Sequence, residues 1–195
     1  GRLINYHLRK MVYDTFEPPC LCDIVQDNID AGFYDPEFVE LYTKEEINQL
    51  QTYINHTRDE DLTYAAMEQF RGKYLVQNRT TGEIYETPQV AYMMIAATLF
   101  SKYPEKKRMA YVKAYYDAIS TFKISLPTPV MAGVRTPQRQ FSSCVLIETD
   151  DSLDSINATS SAVVKYVSQK AGIGIGAGNI RAIGSAIRSG DATHT

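Results

Sequence analysis

Residues 141–178 read FSSCVLIETDDSLDSINATSSAVVKYVSQKAGIGIGAG, and this stretch decides the fold class. Phe141 to Ile147 is rich in aromatic and β-branched residues and predicts a strand. Asp151 to Lys170 places Leu153, Ile156, Val163 and Val167 on one helical face, with Asp151 or Ser152 as the cap. Ala171 to Gly190 holds six glycines in 20 residues and reads as a Gly-rich loop. Strand, helix and loop in that order predict the opening of an α/β domain.

Upstream the period is helical. Leu3, Ile4, Leu8, Met11 and Val12 recur at spacings of three and four, which predicts an amphipathic helix ended by Pro18-Pro19. Leu21, Ile24, Val25 and Ile29 predict a second helix stopped by Gly32. A short helix opens at Asp35-Pro36. Thr43 and Glu46 form a capping-box pattern ahead of Ile47, Leu50 and Ile54. A further helix covers Ala65 to Phe70. Runs 73–79 and 83–87 around Thr80-Thr81-Gly82 predict a β-hairpin. Pro88 starts a helix to about Tyr103, apolar on every side and therefore buried. Pro104 starts another, to about Thr121, with Met109, Val112, Tyr115, Tyr116 and Ile119 inward. Residues 124–131 contain Leu126-Pro127-Thr128-Pro129-Val130. The map is a helical region to residue 122 and an α/β region from 123.

The chain has 195 residues, 44% of them hydrophobic and 22% charged, which excludes a disordered segment. Its net charge is -3, from 20 basic and 23 acidic residues, which argues against a dedicated nucleic-acid binder. No apolar run reaches the length of a membrane span. Three cysteines are too few for a disulfide scaffold and fit a reducing, cytoplasmic compartment. Gly1-Arg2-Leu3 opens without Met or signal peptide, in mid-helix, so both ends are expected to be cuts through a longer chain.

Candidate chemistry is concentrated after residue 140. Cys144 sits in an apolar strand, as a buried structural thiol or as a redox thiol, and its surroundings in the sequence do not decide between them. Cys20 and Cys22 lie far upstream, and C-x-C without His is a poor metal signal. The glycines match neither G-x-G-x-x-G nor a P-loop. They read either as a tight turn into a strand or as an anion site, since Lys165, Lys170, Arg181 and Arg188 face a single acid, Asp191. Glu148, Asp150 and Asp154 suit a helix N-terminus. Asp151 suits that or a ribose hydroxyl. His7, His56 and His194 have no ligand spacing, so no metal is expected.

The motifs Ser125-Leu-Pro-Thr-Pro-Val130, Gly133-Val-Arg-Thr-Pro137, Arg139 to Ile147, Asp151 to Ser161, Lys165-Tyr-Val-Ser168 and Arg181-Ala-Ile-Gly184 resemble the large (α) subunit of class I ribonucleotide reductase. Phe16-Glu-Pro-Pro19 and Gly72 to Arg79 continue the resemblance, which spans the chain and is strongest to the enterobacterial and T4-like phage branch. It implies residues 1–15 as the end of an ATP-cone region, 16–122 as a helical domain, and 123–195 as the truncated start of a ten-stranded α/β barrel. It implies reduction of ribonucleoside diphosphates by radical chemistry, with Cys144 as one member of a redox cysteine pair. Thr128 and Ser143 are then expected at the substrate. Asp151, Ser152, Leu153, Arg181 and Arg188 are expected at a dNTP or ATP effector site, and Lys10 at the ATP-cone site. The implied partners are a di-iron, radical-generating small (β) subunit, thioredoxin or glutaredoxin, and a second large subunit. No cofactor is expected on this chain itself. It lacks the Asn-x-Cys-x-Glu loop, so the segment alone is expected to be inactive. The alternatives are a free-standing effector-binding and dimerisation module, or one half of a split reductase.

Overall fold

A computed structural model describes residues 1–169, 171–187, 190, 192 and 193, in two units, Gly1–Phe141 and Ser142–Thr195. In the first, α1 (Arg2–Tyr13) ends at Asp14, which takes the left-handed conformation and donates its N–H to the Lys10 carbonyl. Its buried face differs from the expected apolar one. Leu8 is inside, but Leu3 is 87% exposed and Met11 is exposed too, while Asn5 and Arg9 are buried. The cause is a polar counterpart: Arg9 donates to the His56 carbonyl at 2.7 Å, on a 3₁₀ turn spanning His56–Asp61.

The next helices follow the sequence closely. α2 (Leu21–Asp30) buries Leu21, Ile24 and Val25, and Gly32 turns the chain away at φ +76°. α3 (Glu37–Leu41) is short. α4 (Lys44–Tyr53) starts with the expected capping box: the Glu46 N–H donates to Thr43 Oγ1 and the Thr43 N–H to Glu46 Oε2. α5 (Tyr64–Gln69) is capped by Thr63 and runs into a π-helical turn, Phe70–Tyr74.

The expected hairpin is reduced to one bridge, Gln77 with Ile84, closed by Gly82 at φ +78°. Residues up to Tyr74 stay in the π-helical turn, and the Val76 N–H is taken by the Glu86 carboxylate at 2.6 Å instead of a ladder carbonyl. α6 (Pro88–Phe100) is buried on every side from Pro88 to Ala97, and α7 (Glu105–Ser120) packs on it through Val112, Tyr116 and Ile119. α8 (Thr128–Gly133) is a helix where the sequence pattern showed none. Pro129 lies in its first turn, where a missing N–H costs nothing. Met131, Val134 and Arg135 enter the helical core. Residues 123–141 therefore belong with the helices, and the division falls after Phe141 rather than after 122.

The second unit is β1 (Cys144–Glu148), α9 (Leu153–Ser168) and β2 (Gly172–Gly176), with the two strands parallel and Cys144, Leu146 and Glu148 opposite Gly172, Gly174 and Gly176. The glycines expected in a loop thus form a strand from 172 to 176, and the loop begins at Ala177. Side chains added there would have to displace the flexible side chains of β1. A Cβ at Gly174 would lie 2.6 Å from Leu146 Cδ2, and one at Gly176 2.5 Å from the Glu148 carboxylate. Ile173 and Ile175 supply the β-branched positions. The expected inward face of α9 is largely exposed, at Leu153, Ile156 and Val167, and the buried contact is a hydroxyl pair, Thr149 with Thr159 at 2.9 Å. A short antiparallel pair, β3 (Ala186–Ile187) with β4 (Ala192–Thr193), follows. No described helix is long and apolar enough to cross a membrane.

Candidate functional site

Cys144 is the first residue of β1 and its side chain is exposed, so the buried-thiol alternative does not describe it. The Ser143 hydroxyl donates to its Sγ at 3.8 Å. Across the strand pair the Gly172 N–H donates to the Ser143 carbonyl at 2.8 Å. A Cβ at Gly172 would lie 3.2 Å from that carbonyl and 3.8 Å from Sγ. Thr128, in the helical unit, is the first residue of α8 and is exposed.

At the carboxyl ends of the strands the structure brings the other candidates together. This is where parallel α/β units bind ligands. Asp151 and Arg181, 30 residues apart in sequence, form an ion pair with Arg181 Nε donating to Asp151 Oδ2 at 2.6 Å. Arg181 also donates to the Ala186 carbonyl at 2.8 Å, and Asn179 donates to Asp150 Oδ1 at 3.3 Å. Ser152 caps α9 by accepting from the Ser155 N–H. Leu153 projects beside them, 84% exposed. The carboxylate offers a partner for a ribose, the guanidinium and the helix N-terminus for a phosphate, and the bare leucine for a base. Asp151 and Arg181 are each about one-third exposed, so the pair holds weakly and can re-partner. Arg188, Lys170, Asp191 and His194 lie outside the described residues.

The remaining candidates have local roles. Lys10 Nζ donates to the Asp14 carbonyl at 3.1 Å and finishes α1. Cys20 caps α2, and Cys22 donates to Asn48 Oδ1 at 3.1 Å. Among the described residues no group of His, Cys, Asp and Glu could hold a metal ion.

Two buried polar networks escaped the sequence reading. Arg135 and Glu86 are fully buried and pair directly. Arg135 also donates to the carbonyls of Met131 and Tyr74, and the Tyr34 hydroxyl donates to Glu86 Oε2 at 2.5 Å. Burial and the Glu86 charge hold Tyr34 well above the usual phenol range. The second network joins Arg9, His56, Asp59, Gln89 and Tyr116. Gln89 donates to Asp59 Oδ1 at 2.9 Å and accepts from the Tyr116 hydroxyl at 2.6 Å. A lone charge directly after apolar residues, such as Arg135 after Val134, is the one-dimensional sign of the first network.

The family described as "Ribonucleotide reductase, all-alpha domain" matches residues 60–139, and "Ribonucleotide reductase, barrel domain" matches residues 142–195. The two matches meet at the structural division after Phe141. Ribonucleoside-diphosphate reductase 1 subunit alpha of Escherichia coli (strain K12) is 64% identical over 195 residues. The subunit alpha of Haemophilus influenzae is 62% identical and that of Enterobacteria phage T4 is 50% identical, each over the whole chain. The chain spans 26% of the length of each of these relatives. Long matched motifs, two adjoining domain matches and identity at this level lead to one conclusion: the chain belongs to the ribonucleotide reductase large-subunit family.

Proposed function

We propose that the chain is part of a cytoplasmic ribonucleoside-diphosphate reductase α subunit and serves the reduction of ribonucleoside diphosphates to their 2′-deoxy products. The observation that supports this most is the exposed Cys144 thiol at the head of β1, in a chain 64% identical to a subunit of that name. In this reading Cys144 pairs with a second cysteine outside these 195 residues. The C2′–O bond breaks, the hydroxyl leaves as water and a C2′–H bond forms. The two thiols give up two electrons and two protons and become a disulfide, which thioredoxin or glutaredoxin reduces. The hydroxyls of Thr128 and Ser143 donate to the substrate diphosphate and ribose. The initiating radical comes from a di-iron small subunit. Asp151, Ser152, Leu153, Arg181 and Arg188 hold a dNTP or ATP effector near a second large subunit, and residues 1–15 with Lys10 close an ATP-cone. The segment alone does not turn over, because it carries no Asn-x-Cys-x-Glu loop.

The test uses the full-length subunit carrying this segment, together with its small subunit. Cys144→Ala should abolish CDP reduction and leave dTTP binding intact. Arg181→Ala should weaken dTTP by about tenfold or more, the value of a charge-assisted contact. Undiminished turnover in Cys144→Ala overturns the assignment. A second reading, an effector-binding module, is supported by the Asp151–Arg181 pair forming wholly inside the second unit. Calorimetry of dTTP with the 195-residue chain separates the two: heat favours the module, and no heat at high concentration removes it.

A further inference from the structure

Among the described residues, six buried side-chain nitrogen or oxygen atoms have no hydrogen-bond partner. Five belong to two segments that face each other. They are Nδ2 and Oδ1 of Asn5 and Nε of Arg9 on α1, and Nδ1 of His56 and Oδ2 of Asp59 on the 3₁₀ turn. Asn5 and Arg9 are one helical turn apart and share a face. That face meets the turn, since Arg9 donates to the His56 carbonyl at 2.7 Å and lies 3.9 Å from Asp59 Oδ2. Asn5 and Asp59 are fully buried and Arg9 nearly so. An unpaired buried amide costs a few kcal/mol, and native interiors pair almost every such group. Five on two facing segments therefore point to a common partner.

The donor and acceptor pattern identifies its chemistry. Asn5 Nδ2 and Arg9 Nε donate. Asn5 Oδ1 accepts, and Asp59 Oδ2 accepts when ionised and donates when protonated, since burial raises this carboxyl to about 7. Burial and the Arg9 charge lower His56 to about 4, so the ring is neutral near pH 7 and can accept through one nitrogen. A metal cation would want acceptors alone and would be repelled by the guanidinium. An anion would want donors alone and would meet the acceptors Asn5 Oδ1 and His56 Nδ1. A small ligand that both donates and accepts satisfies the whole set.

We propose that ordered water is enclosed between α1 and the turn His56–Asp61, hydrogen-bonded by Asn5, Arg9, His56 and Asp59, and that this hydrated contact holds α1 against the helical unit. Five atoms call for about two molecules, since a buried water makes roughly three bonds. The contact works beside the single buried apolar anchor of α1, Leu8.

A high-resolution crystal structure of the full-length subunit carrying this segment tests the site directly. The expected result is water density within hydrogen-bond reach of Asn5 and Asp59. Density for a metal or anion, or the five atoms paired to protein groups alone, overturns it. Asn5→Leu gives an independent sign test in the same protein. With water present, the substitution strands the water's other partners and lowers hydrogen-exchange protection of α1 by about tenfold, the value of one lost buried bond. With a dry site, leucine removes an orphaned amide. Unchanged or increased protection then overturns the proposal.

Discussion

Replacing Asp59 by asparagine should separate two titrations that oppose each other inside the helical unit. Burial raises Asp59 from its ordinary 3.8 to about 7, because Gln89 and an Arg9 charge 3.9 Å away offset only part of the lost hydration. Burial, and then the Arg9 charge, lowers His56 from 6.5 to about 4. The other groups on this pair are Tyr13 from α1, Gln89 and Tyr92 from α6, and Tyr116 from α7. All three tyrosines are pushed upward by burial and stay neutral through the range that matters. Between pH 3.8 and 7 the native state holds the Asp59 proton and the unfolded chain has lost it, so stability falls as pH rises and is level above 7. Between pH 4 and 6.5 the unfolded chain protonates His56 and the native state does not, so stability rises with pH and is level above 6.5. Each pH step of one is worth about 1.4 kcal/mol per group, so the two slopes nearly cancel in the parent up to pH 6.5. Each substitution uncovers the other slope. From about pH 5 to 7.5, Asp59→Asn should gain about 3 kcal/mol relative to the parent, and His56→Gln should lose about 2 kcal/mol. Enclosed water favours both charged forms, so these are upper values. The chain has no tryptophan, so urea unfolding is best followed by helical circular dichroism across that pH range. Flat difference curves, or two curves of the same sign, would refute the reasoning.

Arg135→Met leaves the Glu86 carboxylate buried without its guanidinium and should cost about 3–5 kcal/mol by urea unfolding, with Arg135→Lys intermediate because an ammonium cannot reproduce the fork. Gly172→Ala presses on the Ser143 backbone carbonyl, whereas Gly174→Ala displaces only the exposed Leu146 side chain. Alkylation of Cys144, followed by mass spectrometry of its peptide, should therefore slow several-fold in the first variant and stay unchanged in the second. Equal rates in both would show that Gly172 does not keep the thiol accessible.

Elements that rest on local rules were legible in the sequence. Thr43 and Glu46 announce α4, Pro88 opens α6, Gly32 closes α2, and the three-and-four spacing in α7 names its buried face. Elements decided by a partner were not. Residues 172–176 become a strand through the parallel ladder with β1, a partner that no local pattern names. The hairpin dwindles because Glu86, turned inward to meet Arg135, takes the Val76 N–H. For the candidate site, family motifs placed Asp151 and Arg181 in one cluster, and the structure joins them, yet no local pattern relates residues 30 apart.

Helix α6 shows why the polar interior carries more of the specification than its size suggests. A helix apolar on every side must be buried, but its apolarity is indifferent to rotation about its own axis. Three polar contacts remove that indifference. Gln89 must reach Asp59 on one side and the Tyr116 hydroxyl on another, and the Ala97 carbonyl must accept from Tyr42 at 2.7 Å. Rotating α6 would break all three bonds and strand their partners in the interior, at a cost of about 1–3 kcal/mol each. Apolar burial therefore sets where α6 lies, and Gln89 sets which way it faces. The same residue ties α6 to the turn that receives Arg9, so the azimuth of the central helix and the docking of α1 are fixed by one connected network.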